Sequence, residues 1–272
     1  MPLRIAFVGK GGAGKSTIAG TFARLLARRG EPVLAIDSDP MPGLNYSLGL
    51  PVVDLAIPDD AVLEAPAGSN PRYRLRPGLD AAAAVNAYAP VAADGVRYLQ
   101  FGNQRQQVAT QFRSQAAFRQ IIDELPHELW HLVGDLPGGT RQPMFGWGRF
   151  AETIVIVVEP TPKSISTATR LLHLRDAVWA PNRLVAVVNR VRSSADAQLV
   201  RSRTGLTVIG EIPDDPLVEA ADRHGIAPLD IGHDSAFVTA VEAIVEQLTT
   251  ASNRPPVHDD QSHIDFPQGV SA

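Results

Sequence analysis

The chain has 272 residues, a formal net charge of −4 and a hydrophobic fraction of 44%. That length suits one large domain or two small ones, and the apolar content excludes a wholly disordered chain. The mild acidic excess gives no support for general nucleic-acid binding, and the lack of any cysteine excludes disulfides, thiolate-ligated metals and iron–sulfur clusters within the chain.

The first residues, Met-Pro-Leu-Arg-Ile-Ala-Phe-Val, lack the apolar h-region and small-residue cleavage site of a signal peptide. No stretch approaches the roughly 20 apolar residues of a membrane span. The expectation is a soluble, cytoplasmic protein with no membrane partner. Strand-length runs rich in Val, Ile and Leu fall at 3–8, 33–36, 96–101, 129–133, 153–158, 184–188 and 208–212, and helical spacing fits 16–28, 111–125, 164–178, 217–224 and 235–248. The strands are continuously apolar, as strands buried on both faces are. Their alternation with helices predicts an α/β fold: a doubly wound, mostly parallel sheet with helices on both faces. Residues 51–95 are rich in Pro, Ala and Asp, have poor periodicity and are read as an irregular insertion with room for one short helix. Residues 251–272 are polar, with three prolines, and are read as a disordered tail. The expected organisation is one nucleotide-binding domain over 1–250.

Gly9-Lys10-Gly11-Gly12-Ala13-Gly14-Lys15-Ser16-Thr17 fits G-x-x-x-x-G-K-[ST] between a predicted strand and a predicted helix. Glycines there let backbone N–H groups of Gly11, Gly12, Ala13 and Gly14 converge on phosphate, and the helix N-terminus adds its positive end. Lys15 is placed to reach the β- and γ-phosphates, the Ser16 hydroxyl to ligate Mg²⁺, and Thr17 to contact the α-phosphate. Two further strands end in carboxylates: 33–36 in Asp37-Ser38-Asp39-Pro40, and 129–133 through Gly134 in Asp135-Leu136-Pro137-Gly138-Gly139-Thr140. The carboxyl edge of a parallel sheet is where ligands sit, so these acids are placed to face the phosphates. Asp135 is a Walker B aspartate near Mg²⁺ through water, and Gly138 or Gly139 is positioned to offer its N–H to the γ-phosphate.

Lys10, followed by Gly-Gly-Ala-Gly-Lys-Ser, resembles the deviant Walker A loop of the superfamily of MinD, ParA, the nitrogenase iron protein and the arsenite-pump ATPase. The resemblance implies an ATP hydrolase that works as an ATP-dependent homodimer, with Lys10 crossing to the partner's phosphates. Asp37-Ser38-Asp39-Pro40 resembles its switch I, which implies that Asp37 holds a Mg²⁺-bound water and that Asp39 orients the attacking water. Asn189-Arg190 resembles its adenine-recognition pair, and Ile212-Pro213-Asp214-Asp215-Pro216 the segment whose Pro213 lines the base. No GTPase-type N-K-x-D pattern is present, so ATP is expected over GTP.

Asp94-Gly95-Val96-Arg97-Tyr98-Leu99 and Val157-Val158-Glu159-Pro160-Thr161 extend the resemblance to the CooC-type maturation ATPases. That family's Cys-x-Cys metal motif is missing. Residues 101–109 supply glutamines and an arginine instead, and amides are poor ligands for nickel or zinc. His127 and His131, or His258 and His263 with Asp259 and Asp260, are not read as a replacement site. The expected function is a Mg²⁺-dependent, dimeric ATPase switch that remodels, loads or assembles a partner protein, with the partner on residues 51–120, notably 104–112. Two other readings stand beside it: a positioning ATPase that binds DNA (through Arg170, Arg175, Arg201 and Arg203) or membrane, and a metabolic enzyme that activates a small substrate.

Overall fold

A computed structural model describes residues 1–51, 57–101, 108–140, 146–175 and 183–252. Seven strands form one sheet: β1 Arg4–Gly9, β2 Val33–Asp37, β5 Arg97–Gln100, β6 His131–Asp135, β7 Thr153–Val158, β8 Arg183–Val191 and β9 Val208–Pro213. Their spatial order is β5-β2-β6-β1-β7-β8-β9, and every pairing is parallel. Two further strands, β3 Val62–Glu64 and β4 Tyr73–Leu75, form a separate antiparallel hairpin. The helices are α1 Lys15–Arg28, α2 Leu44–Ser47, α3 Ala81–Tyr88, α4 Val108–Glu124, α5 Pro162–Leu174, α6 Ser194–Thr204, α7 Pro216–His224, α8 Pro228–Ile231 and α9 Ala236–Ser252.

The predicted α/β, doubly wound fold is the observed one. Strand residues divide alternately between two cores. Ala6, Val8, Leu34 and Ile36 face a core shared with Phe118 and Ile121 of α4 and Leu171 of α5. Ile5, Phe7, Val33 and Ala35 face another, shared with Phe22 and Leu26 of α1 and Val241 and Val245 of α9. Burial on both sides is what a parallel sheet demands, and it explains the unbroken apolar runs. From β1 the chain winds outward through β2 and β5, returns as β6, and then crosses β1 to build β7, β8 and β9. The change of direction therefore lies at β1/β7, where an open α/β sheet forms its ligand crevice.

Residues 57–101 are more regular than their sequence suggests. The hairpin strands have three residues each, too short to display a period of two. Helix α3 is the short helix allowed for; it is capped by Asp80, whose carboxylate accepts from Ala83 N at 2.7 Å. The free edge of β4 is closed by α4, because Gln120 Oε1 accepts the Leu75 N–H at 2.7 Å. Helix α6 was not foreseen: it is polar along most of its length, and its signature is the capping box of Ser193 with Asp196. The predicted strand 129–133 is shifted two residues, so that Asp135 is the last residue of β6. The glutamine-rich stretch 104–107 and the tail 253–272 lie outside the described residues, as do His258, Asp259, Asp260 and His263.

Candidate nucleotide site

The loop between β1 and α1 is shaped by three glycines with positive φ: Gly9 (148°), Gly12 (79°) and Gly14 (90°). At Gly9 a side chain would also strike the carbonyl of Val157 on β7, so glycine is required both for conformation and for closeness to the neighbouring strand. Ala13 N–H donates to Lys10 O at 3.2 Å, closing the loop. Around Gly11 and Gly12 the space that a side chain would fill is open, a cradle lined by backbone. Lys15, 7% exposed, starts α1 and folds back over the loop, with its Nζ 3.5 Å from Lys10 O.

Below this cradle two carboxylates are buried together. Asp37 ends β2 and Asp135 ends β6, directly paired in register. Asp37 accepts the N–H groups of Asp39 (3.0 Å), Gly43 (3.1 Å) and Leu44 (3.1 Å), and the Tyr98 hydroxyl at 3.4 Å. It is thus a rigid hub for the loop after β2. Asp135 Oδ2 accepts from Ser16 Oγ at 2.5 Å, while its Oδ1 is buried with no hydrogen-bond partner. Burial is the main force raising both acids, Asp37 to about 6 and Asp135 to about 7. The Asp37 charge adds to the rise at Asp135, and Lys15 and Ser16 oppose it. Tyr98, which sequence reasoning did not single out, is driven upward by burial and by these carboxylates. Ser38 ties the two strand ends together, donating both N–H (3.1 Å) and Oγ (3.2 Å) to Asp135 O.

The remaining loops take their places around this pair. Asp39 is half-buried, and its Oδ1 accepts Met41 N–H at 2.9 Å. Thr17 is half-buried on the first turn of α1. Gly138 lies against the phosphate loop, where a side chain would come within 2.7 Å of Gly11 Cα. Gly139 N–H is spent on Gly9 O at 2.9 Å. Of the two glycines expected to face phosphate, Gly138 therefore keeps its amide free of that bond and Gly139 does not.

On the other side of β1, β8 carries a bulge between Val188 and Val191, and Arg190 within it has φ 56°. The bulge sends Asn189 and Arg190 to different partners. Asn189 Nδ2 donates to Ala13 O at 2.8 Å and touches Gly14, so this amide supports the phosphate loop directly. The other faces of that amide are what remain for a base. Arg190 Nη1 pairs with Glu159 Oε1 at 2.8 Å. Pro213 ends β9 opposite Val191, at the same sheet edge. Lys10 Nζ lies 3.1 Å from Gly11 O and 3.8 Å from Glu159 Oε2. Glu159 and its pairing were missed from the sequence, although its place just beyond the carboxyl end of a strand beside β1 was the available signal.

Other candidates have structural partners. His131 Nδ1 accepts Leu3 N–H at 2.9 Å and its Nε2 meets Glu31 at 3.1 Å, while His127 is exposed. Arg201 is held by Glu211 at 2.7 Å, which weakens the arginine patch considered for DNA. Among the described residues no helix is long and apolar enough to cross a membrane.

Several known proteins are similar to this chain. The carbon monoxide dehydrogenase accessory protein CooC of Rhodospirillum rubrum is 28% identical over 245 residues, which covers 84% of this chain and 90% of that one. An uncharacterized ATP-binding protein of Methanocaldococcus jannaschii is 26% identical over 268 residues, covering 92% and 99%. The septum site-determining protein MinD of Pyrococcus horikoshii, solved with Mg-ADP, matches with a TM-score of 0.70 at 20% identity over 93% of this chain and 98% of that one, a likeness of fold. A family model described as the CobQ/CobB/MinD/ParA nucleotide binding domain matches residues 5–229, from β1 into α8. The chain belongs to this family and is an ATP-binding P-loop protein of the MinD, ParA and CooC type.

Proposed function

We propose that the protein is a Mg²⁺-dependent ATP hydrolase that acts as a nucleotide-switched homodimer to remodel, load or assemble a partner protein. The observation that carries this reading is the buried pair Asp37 and Asp135 beneath the phosphate loop, with Asp135 Oδ1 left unpartnered. Two acids crowded out of water with an orphaned oxygen and a serine hydroxyl alongside form a donor set suited to a hard divalent cation. Ser16, Asp37 and Asp135 would hold Mg²⁺, the aspartates through water, and the ion would neutralise charge on the phosphates.

The chain's own residues do the rest. The amides of Gly11, Gly12, Ala13 and Gly14, with the start of α1, bind the phosphate oxygens. Lys15 adds positive charge at the β- and γ-phosphates. Asp39 keeps Oδ2 without a protein partner among the described residues and is the group to orient the attacking water, since phosphoryl transfer depends on placement and charge more than on covalent chemistry. Lys10 reaches the phosphates of the second subunit, and Asn189, Arg190 and Pro213 receive the base.

A protein partner is favoured by the kinship with an accessory protein and by a mechanical route away from the site. Trp147, downstream of Asp135 in the chain, packs edge-on against Phe101 at 5.2 Å and tilted against Phe118 of α4 at 6.0 Å, with Arg119 over its ring at 5.8 Å. Helix α4 in turn holds the β3–β4 hairpin through Gln120. Phe101 N–H donates to Asp37 O at 2.8 Å, so a change around Asp37 is passed through Phe101 and α4 to the proposed partner region, residues 51–120. The missing cysteines rule out a Cys-bound metal as the cargo carried by the chain itself.

The test is product analysis with Mg-ATP. Release of free phosphate by the wild type and its loss in Asp39→Ala are expected. A phosphorylated small molecule as the product, or full turnover in Asp39→Ala, contradicts the reading.

A further inference from the structure

Among the described residues, Glu159 is the one buried carboxylate at the site edge that the proposed metal and phosphate chemistry leaves unused. It is 7% exposed and stands just past β7, where its own N–H donates to Ser164 Oγ at 3.0 Å and its carbonyl accepts Thr161 N–H at 2.7 Å. Its two oxygens have different partners. Oε1 is taken firmly by Arg190 at 2.8 Å, from a residue whose backbone is held at positive φ inside a bulge. A left-handed arginine costs free energy that its surroundings must offset, which marks the pair as a built feature. Oε2 faces the Lys10 ammonium at 3.8 Å, too long for a hydrogen bond. The Lys10 side chain is 34% exposed and, among the described residues, is otherwise tied only to Gly11 O. It is thus held loosely in the mouth of an anion-binding loop, between a fixed carboxylate and the place where phosphate binds.

We infer that Glu159 is a positioning residue: it holds Lys10 within its own subunit when the nucleotide is absent and releases it to the nucleotide phosphates when they arrive. Arg190 makes this exchange possible, because once Lys10 leaves, Glu159 keeps a hydrogen-bonded cation and is not stranded as an unpaired buried charge. The weak contact is the one that breaks and the strong one is the one that stays. The release of Lys10 toward a second subunit rests on the dimer proposed above. The holding contact itself does not.

The chain has only three lysines, Lys10, Lys15 and Lys163, so the contact can be read directly by NMR of protein labelled with ¹³C at lysine Cε, the Lys10 signal being assigned with Lys10→Arg. In nucleotide-free protein Glu159→Gln should move the Lys10 signal and leave Lys163 in place. With Mg²⁺ and a non-hydrolysable ATP analogue, wild type and Glu159→Gln should give coincident Lys10 signals. In the Asp39→Ala background, Glu159→Gln should also lower the ATP concentration at half-maximal dimer by about two- to fivefold, the range for a partly exposed ion pair. A purely structural Glu159 would weaken dimerisation on substitution, so a gain is diagnostic. If Glu159→Gln does not fold, Glu159→Asp, which keeps the charge but shortens its reach, should shift Lys10 in the same sense. A Lys10 signal indifferent to Glu159 without nucleotide, or still dependent on it with nucleotide, overturns the inference. Dimerisation unaffected by Lys10→Ala would instead sink the dimer reading and leave the NMR result to judge Glu159.

Discussion

Two buried carboxylate clusters sit at the same edge of the sheet, on either side of β1, and are solved in opposite ways. On the β2–β6 side, Asp37 and Asp135 face each other with one orphaned oxygen; both are pushed upward by burial, Asp37 further by the charge of Asp39 and Asp135 further by that of Asp37. On the β7–β8 side, Glu159 is matched by Arg190 and shadowed by Lys10. An unpaired buried charge costs far more than a paired one. The first cluster therefore has an unfilled polar valence, which the proposed cation would complete, and the second is already paired, which is what the proposed withdrawal of Lys10 requires.

The largest test of this contrast is Lys15→Ala. Lys15, the proposed phosphate ligand, is also the cation that holds Asp135 down. Turnover should fall by about a hundredfold or more, as expected for losing the main charge on the transferred group, measured as phosphate release. The nucleotide-free variant should also melt at lower temperature than the wild type at pH 8. Retained turnover would remove Lys15 from the mechanism.

Asp135→Asn separates function from stability. It should abolish turnover but stabilise the nucleotide-free protein at pH 8 by on the order of 2 kcal/mol. The folded-state value of Asp135 is raised above its unfolded value. Its contribution is therefore fully present below the ordinary carboxylate range and is lost as pH rises toward about 7. The gain from Asn should accordingly shrink to nothing near pH 4, read from denaturant unfolding across pH. In the wild type, Mg²⁺ with ADP should raise the melting temperature more than ADP with chelator, because the cation relieves the same repulsion. A destabilised Asp135→Asn at pH 8 would mean the pair is not under strain.

A smaller effect of opposite sign comes from His131 at the other end of β6. Burial lowers its pKa, with Glu31 opposing, and its Nδ1 must stay unprotonated to accept Leu3 N–H. Its stabilisation is present above the unfolded value and is lost as pH falls below it. His131→Asn, which can keep an acceptor for Leu3, should flatten this part of the pH profile. An unchanged profile would assign the acid sensitivity elsewhere.

Much of the first cluster was legible in the sequence; of the second, Lys10 and Arg190 were singled out, but not Glu159 nor the contacts that join the three. Lys15, Ser16, Asp37 and Asp135 are read from local patterns, because a loop between strand and helix and an acid at the end of an apolar run are fixed by a few neighbouring residues. The ion pair of Glu159 with Arg190 joins residues 31 apart through strand pairing, and Arg190 is aimed by a bulge that no local composition announces. The same holds for the packing of Trp147 against α4 and for the short hairpin of β3 and β4, whose three-residue strands carry no period. Asn189 was read as a base ligand, but the contact it makes, to Ala13 O, depends on β8 lying next but one to β1.

The most direct test of the switch is light scattering on Asp39→Ala with saturating Mg-ATP, in parallel with Mg-ADP and with the Lys10→Ala,Asp39→Ala double variant. The account predicts twice the chain mass with Mg-ATP alone and the single-chain mass in the other two samples. A single chain at saturating Mg-ATP, or a dimer in all three samples, would contradict it.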